Sequence, residues 1–159
     1  MLAENTVLTG RRAITRSYAK INLTLDVLSK RENGYHDIKM IMQTVSLFDL
    51  ILVDKTHRGI SISTNLPYLP CNEKNIAYKA ADAFFKATGI RGGAKIVIHK
   101  NIPVAAGLAG GSGNCAAVLT AINMLHGNPL SNDELMHIGA SLGADVPYCF
   151  DGSTQLAEG

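Results

Sequence analysis

The sequence has no tryptophan, and its phenylalanines and tyrosines make up only 6% of 159 residues. It also has no excess of charge of one sign, because 15 lysines and arginines against 13 aspartates and glutamates leave a net charge of +2. A nucleic-acid surface needs a basic stripe, often interleaved with aromatic rings on which bases stack. The composition therefore predicts that no nucleic acid is bound, and it argues against an RNA-binding domain.

Cysteine is equally sparse. Cys71, Cys115 and Cys149 are odd in number and share no CxxC spacing, so the sequence indicates neither a disulfide framework nor a zinc site. We expect three reduced thiols, most of them buried.

Long apolar runs are missing too. No stretch reaches the 18 or so apolar residues of a membrane helix, and the first ten residues, MLAENTVLTG, lack the basic-then-apolar order of a signal peptide. The expectation is a cytoplasmic protein with no membrane partner. Hydrophobic residues nevertheless make up 47% of the chain and charged residues 18%, which is typical of one ordered globular unit.

Alternating patterns predict the strands. From Tyr18 to Leu28, the apolar residues Ile21, Leu23, Leu25 and Val27 alternate with Asn22, Thr24 and Asp26. The apolar row is therefore expected in the core, and the polar row is expected to face either the solvent or a site. Asn33-Gly34 predicts a turn. Residues 37–56, 59–64 and 94–100 read as further strands, and 153–157 as a last short one.

Periodicity of three and four residues predicts the helices. One apolar stripe consists of Ile76, Ala80, Ala83, Phe84 and Ala87, and Gly89 follows it as an expected C-cap. A second helix is expected from about Asn114 to Leu125, buried on all sides. A third begins with a capping box of Ser131 and Glu134 and ends at Gly143. Helices interspersed among strands without a βαβα rhythm favour an α+β fold, mainly antiparallel, with helices on one face of the sheet.

The segment PVAAGLAGGSGNCAA, from Pro103 to Ala117, places four glycines and a serine between positions 107 and 113. Amides in such a bend and in the first turn of the following helix can surround an anion, most often a phosphate. The segment fits neither GxxxxGK[ST] nor GxGxxG. A tight turn without a ligand stays an alternative, although it needs only one or two glycines.

This segment resembles the phosphate loop of the GHMP kinases, named for galactokinase and for homoserine, mevalonate and phosphomevalonate kinases. Residues 18–51 (YAKINLTLDVLSKRENGYHDIKMIMQTVSLFDLI) and 143–152 (GADVPYCFDG) resemble, in the same order, the branch of that superfamily that acts on a CDP-linked sugar alcohol of the non-mevalonate isoprenoid pathway. The resemblance implies a kinase that transfers the γ-phosphoryl group of ATP, with Mg²⁺, to a hydroxyl of this small substrate. It also implies the N-terminal domain of a GHMP kinase, similar to domain 2 of ribosomal protein S5, over residues 1–159, with the C-terminal domain absent.

The resemblance also assigns roles to residues. Lys20 and Asp145 match the catalytic pair, with the lysine near the reacting groups and the aspartate accepting or orienting the hydroxyl proton. Without the resemblance, Lys20 reads as an exposed strand lysine and Asp145 as the cap of a turn. The matching nucleotide-binding positions are Asn75, Pro103, Gly107, Gly110, Gly111, Ser112, Gly113 and Asn114. The matching substrate-binding positions are Asn22, Tyr35 and His36, the last two at the cytosine; each also has an ordinary surface interpretation. No residue is assigned to a metal.

Two departures from the family pattern define an alternative. The loop has Ser112-Gly113 where the family usually has two serines, and the family's C-terminal half is not present in the sequence. The alternative is a truncated, inactive paralogue or fragment that binds a nucleotide or a partner chain. Self-association through the surface that the other half normally covers is a further expectation.

Overall fold

The computed structural model describes residues 2–30 and 36–158. The side chains of Lys30 and His36 are not part of that description, and the turn predicted at Asn33-Gly34 lies outside it.

The described residues contain six strands: β1 Thr6–Thr9, β2 Arg12–Lys30, β3 His36–Thr56, β4 Gly59–Thr64, β5 Gly93–His99 and β6 Thr154–Glu158. They form one mixed sheet in the order β1-β2-β3-β5-β4, and β6 also pairs with β3. All pairs are antiparallel except β4 with β5, which confirms the mainly antiparallel prediction.

The core lies on one face of this sheet. Ala13, Val53, Ile96 and Ile62 are successive cross-strand partners, and all four are buried. Partners in register point to the same side of a sheet. Their neighbours Ile14, Leu52 and Val97 form the other face and are only half-buried. The helices therefore cover one face, as predicted.

Within residues 2–30 and 36–158, four helices pack around this core: α1 Ile76–Thr88, α2 Gly110–Leu125, α3 Asn132–Leu142 and α4 Val146–Asp151. Helix α1 ends at Gly89, whose φ of 65° is left-handed, and α3 begins with the predicted capping box. Helix α2 is buried from Gly113 to Asn123. It begins four residues earlier than predicted, so Gly110, Gly111 and Gly113 lie in its first turn. Of the four helices, none is long and apolar enough to cross a membrane.

The outer part of the β2–β3 hairpin contradicts the predicted core. Leu23, Leu25 and Val27 are 55%, 50% and 61% exposed, and Ile21 is 37% exposed. The pattern correctly predicted a strand, but this part of it is paired only with β3, which in turn pairs with β6. We call Ile21, Leu23, Leu25, Val27 and Leu28 the apolar arm.

A bulge at Leu23 corrects a second prediction. Asn22 pairs with Met42, whereas Thr24 pairs with Ile41 and Asp26 with Lys39. Because Met42 and Ile41 are adjacent in β3, they point to opposite faces, and so do Asn22 and Thr24. The polar residues of this strand therefore do not form a single row.

Candidate functional site

The predicted catalytic pair comes together although 125 positions separate Lys20 and Asp145 in sequence. Lys20 Nζ lies 3.8 Å from Asp145 Oδ2 and donates a 2.8 Å hydrogen bond to Asn22 Oδ1. The Lys20 side chain is only 6% exposed, so it is not the solvent-seeking lysine of the ordinary interpretation. Three predicted residues therefore share one cluster at the middle of β2.

The side chain of Asp145 does not cap a helix. It occupies the N-cap position of α4, but its side chain makes no capping hydrogen bond. The side chain is 35% exposed, so its carboxylate is available both to Lys20 and to a ligand. This geometry removes the turn-capping interpretation of Asp145.

The glycine-rich bend is attached directly to this cluster. The Lys20 amide donates to the Leu108 carbonyl over 3.1 Å. Gly107 has a φ of +72°, and Ala105 and Ala109 have φ values of 57° and 55°, so the bend passes through left-handed conformations on its way into α2. The main chain of the bend and the lysine are thereby held side by side.

The first turn of α2 presents amides without a side-chain cap. Ala109 occupies the N-cap position and makes no side-chain hydrogen bond. The amide of Gly113 is the first amide of α2 to donate an intrahelical hydrogen bond, to Ala109 O over 2.8 Å. The preceding amides of Gly110, Gly111 and Ser112 are the helix donors that have no intrahelical acceptor. They lie at the positive end of the helix dipole, where an anion is stabilised.

A cavity of about 260 Å³ opens beside this helix end. Gly111, Asn114 and Asn75 line it, together with the apolar residues Leu69, Pro70, Ile76, Ile98 and Val104. Asn114 is 4% exposed, and within the described chain its Oδ1 is one of three buried side-chain atoms that have no hydrogen-bond partner. A mainly apolar cavity with a few polar residues, one of which has an unpaired buried acceptor, is typical of a ligand site.

Close packing explains two of the glycines. A Cβ on Gly110 would lie 2.9 Å from Lys100 Nζ, and a Cβ on Gly113 would lie 2.4 Å from Ser17 Oγ. Gly111 differs, because the nearest atom to its Cβ position is Ile76 Cγ2 at 3.7 Å. Two of the glycines therefore fit the helix against its supports, whereas Gly107 provides the left-handed turn.

The remaining predicted residues divide into three groups. Asn75 caps α1 by accepting a hydrogen bond from the Ala77 amide over 3.0 Å, and it also lines the cavity. Pro103 is exposed at the start of the bend, and Ser112 Oγ lies 3.8 Å from the Cβ position of Gly143. Tyr35 and the side chain of His36 fall outside the described residues, so their place relative to the cluster stays a prediction.

The structure adds Asp49 and Lys100, which were not predicted from the sequence. Lys100 lines the cavity and forms a buried ion pair with Asp49. The signal for Asp49 was an acidic residue inside the apolar strand segment VSLFDLILV, since a buried carboxylate needs partners. No such signal marks Lys100, which simply follows a strand.

Two cysteines near the site are buried thiols. Burial raises the pKa of the Cys115 thiol and of the Cys149 thiol to about 12 in each case, so both are protonated at neutral pH. Cys71 is exposed and the other two are buried, which confirms that most of the thiols are buried. Among the described residues, no group of three or more His, Cys, Asp or Glu side chains could hold a metal ion.

Comparison with known proteins gives a consistent result. Residues 75–153 match the family described as GHMP kinases N terminal domain. The chain is 51% identical over 144 residues to a 4-diphosphocytidyl-2-C-methyl-D-erythritol kinase of Clostridium botulinum, covering 91% of this chain and 51% of that protein. It is 52% identical over 147 residues to the protein of the same name from Caldicellulosiruptor saccharolyticus, covering 92% and 51%.

The fold comparison agrees. A crystal structure of 4-(cytidine 5'-diphospho)-2C-methyl-D-erythritol kinase superimposes with a TM-score of 0.81 at 36% identity, covering 92% of this chain and 52% of that one. Mevalonate kinase of Methanococcus jannaschii shares the fold at 16% identity, with a TM-score of 0.71. The chain thus spans about half the length of the curated relatives that it matches.

Proposed function

Because the chain has the fold of a GHMP kinase N-terminal domain, we propose that it forms the phosphoryl-transfer site of a kinase of the non-mevalonate isoprenoid pathway. The proposed reaction moves the γ-phosphoryl group of ATP to a hydroxyl of 4-diphosphocytidyl-2-C-methyl-D-erythritol. The observation that carries the proposal is the 3.8 Å approach of Lys20 to Asp145, next to the bend that Leu108 attaches to the same lysine.

In the proposed complex, the phosphates of ATP lie against the amides of Gly110, Gly111 and Ser112. Its base lies in the mainly apolar cavity that Asn75 and Asn114 line. Pro103, Gly107 and Gly113 shape the path of the main chain around it. A phosphate at a helix N-terminus gains from both the free amides and the dipole.

The pair performs the chemistry as follows. The Asp145 carboxylate orients the substrate hydroxyl and accepts its proton as the hydroxyl oxygen attacks the γ-phosphorus of ATP. The bond from that phosphorus to the bridging oxygen breaks, and ADP leaves with the bond electrons. The Lys20 ammonium, fixed by Asn22, offsets the negative charge on the transferring group. Positioning and charge stabilisation are the main sources of catalysis in such transfers.

The residues present fit Mg²⁺ as a companion of the triphosphate. Mg²⁺ in phosphate-transfer sites takes one or two protein oxygens and completes its shell with phosphate oxygens and water. The Ser112 hydroxyl, whose Oγ lies 3.8 Å from the Cβ position of Gly143, is the protein oxygen that would hold it. When bound, the ion neutralises phosphate charge.

Substrate recognition is assigned to the β2–β3 hairpin. Asn22 lies within hydrogen-bond distance of the Lys20 ammonium and so borders the place of the reacting hydroxyl. We propose that Tyr35 stacks on the cytosine and that His36 hydrogen-bonds to it. Base stacking on an aromatic ring contributes roughly 1–3 kcal/mol.

A second candidate rests on the apolar arm. We propose that residues 1–159 form the N-terminal domain of this family, since they match 51% of the length of the Clostridium botulinum relative. A chain of this kind that binds nucleotide, and a partner or a second copy through the arm, without catalysis is the alternative function. The cytoplasmic location stays a prediction.

The test is a coupled assay of ADP formation from ATP and the CDP-linked substrate, run with the chain alone and with the other half of a relative added. Turnover in either case supports the kinase, and nucleotide binding without turnover in both supports the alternative. Asp145→Asn is expected to lower kcat at least a hundredfold and to leave ATP binding within a factor of about two, because it removes the proton acceptor only.

The control is Asp151→Asn, an exposed aspartate at the end of the same short helix. We expect it to retain full activity. Equal losses in the two variants, or loss of ATP binding by Asp145→Asn, would contradict the assigned role.

A further inference from the structure

Asp49 is a buried carboxylate that the proposed reaction does not use. It lies in β3 and is 0% exposed. Its Oδ1 accepts hydrogen bonds from the amides of Asn101 over 2.7 Å and Ile102 over 2.8 Å, and its Oδ2 accepts from Lys100 Nζ. All three donors belong to consecutive residues at one junction of the chain.

That junction connects strand β5 with the glycine-rich bend. Strand β5 ends at His99 and α2 begins at Gly110, so residues 100–102 fix the direction in which the bend departs. The Asn65 side chain holds the main chain of Lys100 from the other side, through bonds of 2.7 and 3.1 Å. The start of the bend is thus attached by side chains to strand β3 and to Asn65, the residue that follows β4.

The Lys100 ammonium lies at the first residue of α2. Its Nζ is 2.9 Å from the Cβ position of Gly110, and its side chain is 5% exposed. A cation at the positive end of a helix dipole is repelled, and burial of an unpaired ammonium is costly. The Asp49 carboxylate offsets both effects, so it keeps a positive charge at the place where phosphates are expected.

The Lys100 ammonium is placed where it can interact with a bound phosphate. Lys100 Nζ lies beside Gly110, and Asp49 does not line the cavity, so a phosphate at the first turn of α2 meets the ammonium and not the carboxylate. Only one hydrogen bond is made by the ammonium within the described residues, and an ammonium has three donors.

We propose that Asp49 is a positioning residue for phosphate binding: it fixes the start of the glycine-rich bend and holds the Lys100 ammonium against the first turn of α2. This inference rests on the proposed binding of ATP at that turn. In this proposal, Asp49 contacts neither the phosphates nor the base of ATP. It is expected to affect the part of the ATP affinity that depends on the phosphates and not the part that depends on the base.

Calorimetric titration of the full chain with ATP and with adenosine tests this assignment. In Asp49→Asn, the amide oxygen can still accept from the two main-chain amides, but the amide nitrogen faces the ammonium as a second donor. We expect ATP affinity to fall about tenfold or more, the effect of losing one charge-assisted interaction. Adenosine affinity is expected to stay within a factor of two.

The matched control is Asp54→Asn in the same strand, whose carboxylate pairs with Arg12 at the surface over 2.6 Å. It should change neither affinity. If Asp49→Asn does not fold, the double variant Asp49→Asn/Lys100→Met replaces it, because this variant removes both buried charges. Its affinities for ATP and adenosine are measured in the same way, and we expect the same loss of preference for ATP.

The outcomes separate the two levels of the proposal. A folded Asp49 variant that keeps the wild-type ratio of ATP to adenosine affinity overturns the role of Asp49 alone. An equal loss for both ligands also overturns it, because that is a general structural effect. A wild-type chain without preference for ATP overturns the nucleotide proposal, and this inference with it.

Discussion

At the scale of the residue, a close contact with Ser17 restricts which side chain can occupy position 113. The family pattern usually has serine at this position, but here a Cβ would lie 2.4 Å from Ser17 Oγ and 3.8 Å from Ser17 Cβ. Ser17 is fully buried, and its hydroxyl is among the described side-chain atoms without a hydrogen-bond partner. The hydroxyl of Ser17 therefore occupies the space that a side chain at 113 would need.

This contact predicts a coupling between the two positions. Gly113→Ala alone should lower the free energy of unfolding by about 1–3 kcal/mol through overpacking. In a Ser17→Ala background the overlap is gone, so the same change should be neutral or stabilising, since alanine favours a helix over glycine by about 1 kcal/mol. Urea unfolding of the four proteins measures the coupling, and additive effects would contradict it.

At the scale of the element, helix α3 has a full capping box at its N-terminus. Glu134 Oε2 accepts from the Ser131 amide over 2.8 Å and from its hydroxyl over 2.9 Å, and the Glu134 amide donates to Ser131 Oγ over 3.3 Å. These bonds, the one to the Ser131 amide first, hold the pKa of the Glu134 carboxyl below its usual value. Ser131→Ala is expected to lower the free energy of unfolding by about 1 kcal/mol.

The capping box also predicts a pH dependence. Because the folded pKa of Glu134 is depressed, its contribution is complete above the unfolded value of 4.5 and is lost as the pH falls through the folded pKa. Glu134→Gln keeps a capping acceptor and should flatten the dependence of stability on pH below 4.5. Thermal unfolding of both proteins between pH 3 and 7 measures it; parallel curves would contradict the assignment.

Elements with a strong local code were predictable, and short or interrupted ones were not. Strand β4 has the predicted bounds, and Gly89 and Ser131 end and begin helices as expected. Strand β1 has only four residues and helix α4 only six, which is too short for a periodic pattern. The bulge at Leu23 is invisible in an alternating sequence, because an inserted residue changes the facing of the strand and not its composition.

The motifs name candidate residues for the site, but they do not predict the contacts between them. Lys20 and Asp145 stand in the resembling segments, yet their approach depends on how β2, α2 and α4 pack. Asp49 and Lys100 are 51 positions apart, and their pairing depends on the register of β3 with β5. Such long-range contacts have no local signature in one sequence.

At the scale of the whole molecule, the residues of the apolar arm are expected to contribute little to the stability of the fold and more to association between chains. Its residues are exposed, so we expect Leu25→Thr/Val27→Thr to change the free energy of unfolding by no more than about 1 kcal/mol. Ile51→Ala, at a position with 0% exposure, should cost about 2–5 kcal/mol. Urea unfolding at low protein concentration compares the two variants.

The same double variant tests self-association. If the arm joins two copies, sedimentation velocity should show a concentration-dependent increase in mass for the wild-type chain and less for the double variant. Equal behaviour of the two proteins would remove the arm as a contact between copies, and a large stability loss in the variant would mean that the arm is part of the fold.

The extra residue at Leu23 decides what a substrate would meet beyond the reacting groups. Because the alternation is reversed there, the surface that carries Lys20 and Asn22 continues into Leu25 and Val27, paired with Met40 and Ile38. If Leu23 were paired in regular alternation instead of being inserted, Thr24 and Asp26 would face this side. The insertion therefore gives a ligand beside Lys20 and Asn22 an apolar neighbouring surface in place of a hydroxyl and a carboxylate.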